Sequence, residues 1–86
     1  GSMARKTIYQ AEYRSLIEAL RLRREALARS QTEVARALGW SQQALSAVEA
    51  GARRLDVVEF VQLCRVLEIS KEDAFALLTD LQSDSV

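Results

Sequence analysis

The side chains best suited to chemistry in this chain are two amides and a hydroxyl, Gln42, Gln43 and Ser46. On a helix that advances about 100° per residue they share one face with two alanines, and the opposite face is apolar: Ala44, Leu45 and Val48. A glutamine can form two hydrogen bonds with N6 and N7 of adenine in the major groove of DNA. An ordinary exposed helix in so charged a chain would carry Lys, Arg or Glu here, which makes a purely solvent-facing helix the weaker alternative. This face predicts contacts with DNA bases.

Catalytic and metal chemistry have few residues to draw on. The 86 residues include no histidine and a single cysteine, Cys64. This composition excludes intrachain disulfides, cysteine-rich zinc sites and most acid–base mechanisms. Cys64 shares a helical face with Phe60 and Leu67, so we predict a small core residue rather than a nucleophile. We therefore expect no enzymatic activity, no metal and no cofactor.

Two short helices around a glycine must position the amide face. Ser30 and Glu33 form an S-x-x-E capping box, which predicts a helix that begins at Gln31. Gly39 ends that helix, because the chain must reverse through a left-handed conformation that penalises a side chain. Ser41 is the next N-cap, and the helix that follows runs through residue 50.

This arrangement resembles the helix-turn-helix of the phage-repressor superfamily, the Cro and lambda-repressor-like group also called XRE-type. The apolar, small and glycine positions of that motif match eight features here: Val34, Ala35, Leu38, Gly39, Trp40, Leu45, Val48 and the Glu49-Ala50-Gly51 ending. Trp40 is larger than the residue usual at its position. The resemblance covers roughly residues 9 to 80 and implies an all-α, five-helix lambda-repressor-like DNA-binding domain.

The resemblance also implies roles for individual residues. The recognition helix would be Gln42–Ala50, and the base-reading positions are Gln42, Gln43, Ser46 and Ala47, the last limited to apolar contact. The positions that contact the DNA backbone are Gln31, Ser41, Arg24, Arg53 and Arg54. Arg24 and Glu49 match a recurrent ion pair between the first helix and the recognition helix. Arg23 and Arg36 are expected to be solvated surface charges.

Apolar periodicity predicts three further helices. They span residues 9–28, residues 56–67 with Asp56 and Glu59 as a cap, and residues 71–82 after Ser70. We expect a single domain over residues 9–82, a tag remnant and flexible N-terminus at 1–8, and a flexible tail at 83–86.

The apolar residues of the fifth helix cover an arc of roughly 160°, wider than one small core usually requires. In proteins that the chain resembles, this region often supplies a two-fold interface. We therefore predict a homodimer with Phe75, Leu77 and Leu81 at the interface. The alternative is that these side chains complete the core of the monomer.

The net charge is zero, but the charges are unevenly distributed. Residues 1–54 carry ten Lys or Arg and five acidic residues, whereas residues 55–86 carry two and seven. The helix-turn-helix thus lies in a basic part that could attract DNA, although such asymmetry also serves solubility.

The resemblance and the charge pattern together predict a sequence-specific regulator of double-stranded DNA, most simply a dimeric repressor that binds an inverted repeat. A restriction-modification controller that contacts RNA polymerase, an antitoxin that binds a toxin, and an interaction module without DNA binding are the alternatives. No signal peptide or membrane span is evident, so we expect a cytoplasmic, bacterial or phage-encoded, nucleoid-associated protein.

Overall fold

Five helices make up the fold in a computed structural model that describes the backbone of residues 2–83 and the side chains of residues 11–79. They are α1 (Ser2–Ala26), α2 (Gln31–Leu38), α3 (Gln42–Glu49), α4 (Val57–Val66) and α5 (Lys71–Ser83). The described backbone contains no strand. The prediction of an all-α, five-helix domain is therefore confirmed. Residue 1 and residues 84–86, to which parts of the predicted tag remnant and tail belong, lie outside the described residues.

Side-chain caps fix where α2 and α4 begin. The Ser30 hydroxyl accepts from the Glu33 amide at 3.1 Å, and the Glu33 carboxylate accepts from the Ser30 amide at 2.9 Å. The latter hydrogen bond lowers the pKa of Glu33, because it stabilises the charged carboxylate. Asp56 and Glu59 form the same reciprocal box at the start of α4. Both boxes satisfy backbone amides that have no partner inside the helix.

The first helix differs from its prediction at both ends. It begins at Ser2 rather than near residue 9, and the segment before residue 9 contains no proline or internal glycine to prevent helix formation. It ends at Ala26 rather than at Ala28, because Ala28 has a left-handed backbone with φ of 58°. The amides of Ala28 and Arg29 close the end by donating to the carbonyls of Glu25 and Arg24. Nothing in the side chain of an alanine signals this stop.

The core lies where α1, α2, α3 and α4 meet. α2 packs against α3 and α4, and α1 packs against α3 and α5. Eleven buried apolar residues form one cluster: Leu16, Ile17, Leu20, Val34, Ala35, Leu45, Val48, Phe60, Leu63, Cys64 and Leu67. Cys64 is a core residue as predicted, and burial raises the pKa of its thiol. The cluster fixes α2 and α3 as one rigid unit on α1 and α4.

Arg23 is not the solvated charge that the sequence predicted. Its guanidinium donates to the carbonyls of Leu67 and Glu68, at 2.9 and 3.0 Å, where α4 ends. Carbonyls at a helix end lack partners within the helix and carry partial negative charge. Arg23 therefore ties α1 to the end of α4.

Candidate nucleic-acid interface

The helix α3 is held so that one of its faces is buried and the other lies on the surface. Gly39 turns the chain between α2 and α3 at φ of 77°, and the Ser41 hydroxyl caps α3 by accepting from the Ala44 amide at 3.1 Å. Leu45 is completely buried and Val48 nearly so. The opposite face of α3 is therefore directed away from the core.

That surface face carries the four residues predicted to read bases. Gln43 is exposed, while Gln42, Ser46 and Ala47 are half-buried. These side chains are uncharged and short enough for a helix backbone to approach another surface closely. The structure thus brings the four residues together on one face.

Gln42 takes part in a chain of hydrogen bonds that the sequence analysis did not predict. Its amide Nε2 donates to Oε1 of Gln31 at 2.6 Å, and Nε2 of Gln31 donates to Oε1 of Glu49 at 2.8 Å. Each bond uses one amide hydrogen, so Gln42 keeps its carbonyl oxygen and one N–H for another partner. The signal in the sequence is that Gln31 and Gln42 are the first residues of consecutive helices. Contacts from Gln31 fix the orientation of the Gln42 amide on the surface.

Arg24 and Glu49 form the ion pair that completes this chain. Nε of Arg24 donates to Oε2 of Glu49 at 2.7 Å, and a second guanidinium nitrogen donates to Oε1 at 3.0 Å. The two side chains are only 12% and 10% exposed. Another nitrogen of Arg24 donates to the carbonyl of Arg29 at 2.8 Å. A bidentate ion pair that is largely shielded from solvent fixes the C-terminal end of α1 relative to the C-terminal end of α3.

The loop between α3 and α4 carries two exposed arginines, each stacked on a different aromatic ring. The guanidinium of Arg53 lies 5.1 Å from the ring centre of Trp40, and that of Arg54 lies 4.7 Å from the ring centre of Tyr13. The Tyr13 hydroxyl also accepts from the Leu55 amide at 2.9 Å. These contacts hold both cations in place. The family resemblance implied that both arginines lie beside phosphates, but the sequence did not predict their contacts with Trp40 and Tyr13.

Arg53 also has a carboxylate partner. Its guanidinium donates to Oε2 of Glu59 at 2.8 Å, and the arginine side chain remains 42% exposed. Glu59 is itself the reciprocal residue of the α4 capping box. Arg53 therefore is paired in the free protein, which the sequence analysis did not predict.

The three residues predicted at a dimer interface have different surroundings. The side chain of Phe75 is 67% exposed, while Leu77 is half-buried and packs against the core. The side chain of Leu81 lies outside the described residues. Leu77 thus matches the alternative that it completes the core of the monomer.

The described part of the chain contains no group of three or more acidic, cysteine or histidine residues arranged to hold a metal ion. Within residues 2–83, no helix combines the length and apolar character needed to cross a bilayer.

Known proteins show the same architecture. Residues 16–78 match the family described as "Helix-turn-helix domain". A solved structure of an "XRE-family like protein from Pseudomonas syringae pv. tomato str. DC3000" is 38% identical and superposes with a TM-score of 0.84, covering 96% of this chain and 98% of the other. No curated protein sequence matches at a significant level. The chain therefore belongs to the XRE-type helix-turn-helix family, a family of DNA-binding regulators.

Proposed function

We propose that the protein is a sequence-specific transcriptional regulator that inserts α3 into the major groove of DNA. The observation that carries this proposal is the uncharged, amide-bearing face of α3, supported on its other side by the buried Leu45 and Val48. Short polar side chains allow the helix to lie close to base edges, and glutamine can pair with adenine through two hydrogen bonds. Gln43, Gln42 and Ser46 then supply most of the discrimination, with Ala47 limited to apolar contact.

Backbone contacts supply the affinity and the register in this proposal. Gln31 and Ser41 stand at the starts of α2 and α3, where free amides favour phosphate. Arg24 pairs with Glu49, the last residue of α3, and Arg53 and Arg54 lie in the loop that follows this same end of α3. On DNA, a phosphate oxygen takes the place of the Glu59 carboxylate at Arg53. Each phosphate neutralised in this way releases counterions and makes binding weaker at high salt.

A two-fold dimer is the assembly that we propose on DNA. Two copies of α3 would read an inverted repeat whose half-sites lie about one helical turn, or ~34 Å, apart. The exposed ring of Phe75 supports an interface on α5, and we keep Leu81 in that interface as the sequence predicts. We leave Leu77 out of that interface because it packs against the core. Such a dimer would repress transcription by covering a promoter.

Substitution of the two glutamines tests the proposal. Gln42→Ala with Gln43→Ala should remove the preference for a selected site over random DNA, because each paired base is worth ~1–3 kcal/mol. Gln43→Ala alone is the cleaner variant, since Gln42 also bonds to Gln31. Gln62→Ala, an exposed glutamine on α4, is the matched control. Fluorescence anisotropy with selected and scrambled duplexes measures the preference.

If the double variant keeps the preference of the parent, the reading face is assigned wrongly. Binding of every duplex with equal affinity by the parent itself would favour a protein-interaction module instead.

A further inference from the structure

A groove continues the outward face of α3 beyond its C-terminal end. Its volume is about 310 Å³, and its walls are Tyr13, Arg14, Ala50, Gly51 and Arg54. Ala50 is exposed and belongs to the same face of the helix as Gln43. When α3 lies in the major groove of DNA, the phosphodiester backbone of the DNA beside it therefore comes towards this groove of the protein.

Two arginines line the groove from different elements. Arg14 is an exposed residue of α1, and Arg54 belongs to the loop after α3. Among the described residues, neither of them forms an ion pair, whereas Arg21, Arg24 and Arg53 all do. Their guanidinium groups are thus available to an anion from outside.

The two carboxylates of an adjoining hollow are already paired. This hollow includes Glu18 and Glu49 along with Tyr13 and Arg14. Glu18 accepts from Arg21 at 2.6 and 3.1 Å, and Glu49 accepts from Arg24 and Gln31. These pairings reduce the repulsion that a phosphate would otherwise meet.

At Gly51 the groove leaves room for a ligand to approach the protein backbone closely. Gly51 has φ of 82° and no side chain, and nothing lies within 4 Å of the position that a Cβ would occupy. Tyr13 holds Arg54 over its ring and the Leu55 amide on its hydroxyl. The loop is therefore fixed to α1 at the point where Arg14 projects.

We propose that this groove binds a phosphodiester of the DNA backbone, with Arg14 and Arg54 as its two cations and Tyr13 as the residue that positions Arg54. This inference rests on the proposed function, because it adds a contact from α1 to the same DNA. It extends the footprint to a residue that the recognition motif does not contain.

The salt dependence of DNA binding tests the groove. Each phosphate contact adds about 0.9 to the slope of log K against log salt, so one lost contact makes the fall in affinity between 50 and 200 mM salt about 3.5-fold smaller. Because the two cations share one phosphodiester, Arg14→Gln and Arg54→Gln should each remove part of this slope and the double variant all of it. Each variant should weaken binding of selected and random duplexes alike. Arg65→Gln, an exposed arginine on α4, makes the same change in charge away from the groove and should leave the slope unchanged.

Variants of Tyr13 test whether its ring positions the Arg54 guanidinium, because they leave the charge of the groove unchanged. Tyr13→Phe keeps the ring under Arg54, whereas Tyr13→Leu removes it, so the leucine variant should lose more of the slope than the phenylalanine variant. Circular dichroism melting curves of each variant exclude unfolding as the cause.

The results distinguish the two proposals. If the parent prefers its selected duplex but Arg14→Gln has the slope of Arg65→Gln, the groove inference is wrong and the proposed function stands. If the parent binds no duplex at any salt concentration, both are wrong.

Discussion

The orientation of a base-reading side chain on α3 depends more on the residues that contact it from beneath the surface than on its own residue type. Gln42 is oriented by Gln31, and Gln31 is held by Glu49, which Arg24 neutralises. The chain of contacts runs from α1 through α2 to the reading face of α3. An amide that is held before binding loses less entropy when it pairs with a base. We infer that Arg24 and Glu49 matter for binding mainly because they fix this orientation.

A double-mutant cycle measures the strength of the ion pair between Arg24 and Glu49. The Arg24→Ala and Glu49→Ala variants and their combination should show a coupling of about 1.5–3 kcal/mol in the free energy of unfolding, because the pair is charge-assisted and sheltered from solvent. Urea unfolding of the four proteins gives the value. Arg21 and Glu18 form an exposed pair on α1 and serve as the control cycle, with a much smaller coupling expected. Equal couplings in the two cycles would contradict this account.

Four of the helices end with the same backbone geometry. After α1, α2, α3 and α4 a single residue is left-handed: Ala28, Gly39, Gly51 and Glu68, with φ between 58° and 82°. The sequence predicted the two glycine stops, because glycine favours this conformation. It did not predict the stop at Ala28, since alanine is an ordinary helix former. In that case the contacts of the fold overrule local preference.

Opposite effects of two substitutions test this geometry. Ala28→Gly should stabilise the protein by ~0.5–1 kcal/mol, because it relieves the left-handed strain at some cost in chain entropy. Gly39→Ala should destabilise it by ~1–2 kcal/mol, and nothing within 4 Å of the added Cβ contributes a clash. Thermal and urea unfolding measure both changes. A loss of stability in Ala28→Gly would show that strain is not what ends α1 there.

Across the chain as a whole, apolar periodicity and helix caps predicted the helices and most of the core. The predicted site residues of α2, α3 and the following loop lie on or beside one surface. What the sequence could not predict are contacts between distant residues, such as Arg23 with the end of α4, or Tyr13 and Trp40 with the loop arginines. Their partners lie far apart in the chain, and no local pattern links them.

Substitutions at two residues of α5 distinguish a dimer interface from packing within the monomer core. Phe75→Ser should convert the predicted dimer into a monomer with little change in monomer stability, because the ring is largely exposed. Leu77→Ala should instead destabilise the fold by ~1–3 kcal/mol, since it leaves a gap against the core. Light scattering after size-exclusion chromatography gives the mass, and urea unfolding gives the stability. A parent protein that is monomeric at tens of micromolar would count against the interface.

Selection of binding sites from random duplex DNA at near-physiological salt tests whether the outward face of α3 reads base sequence. We expect enrichment of an inverted repeat with half-sites about one helical turn, or ~34 Å, apart, in which adenines face the glutamines of α3. The short reading face implies a short half-site of moderate specificity. Failure to enrich any sequence, from protein that is folded and pure, would contradict the claim that this surface reads DNA.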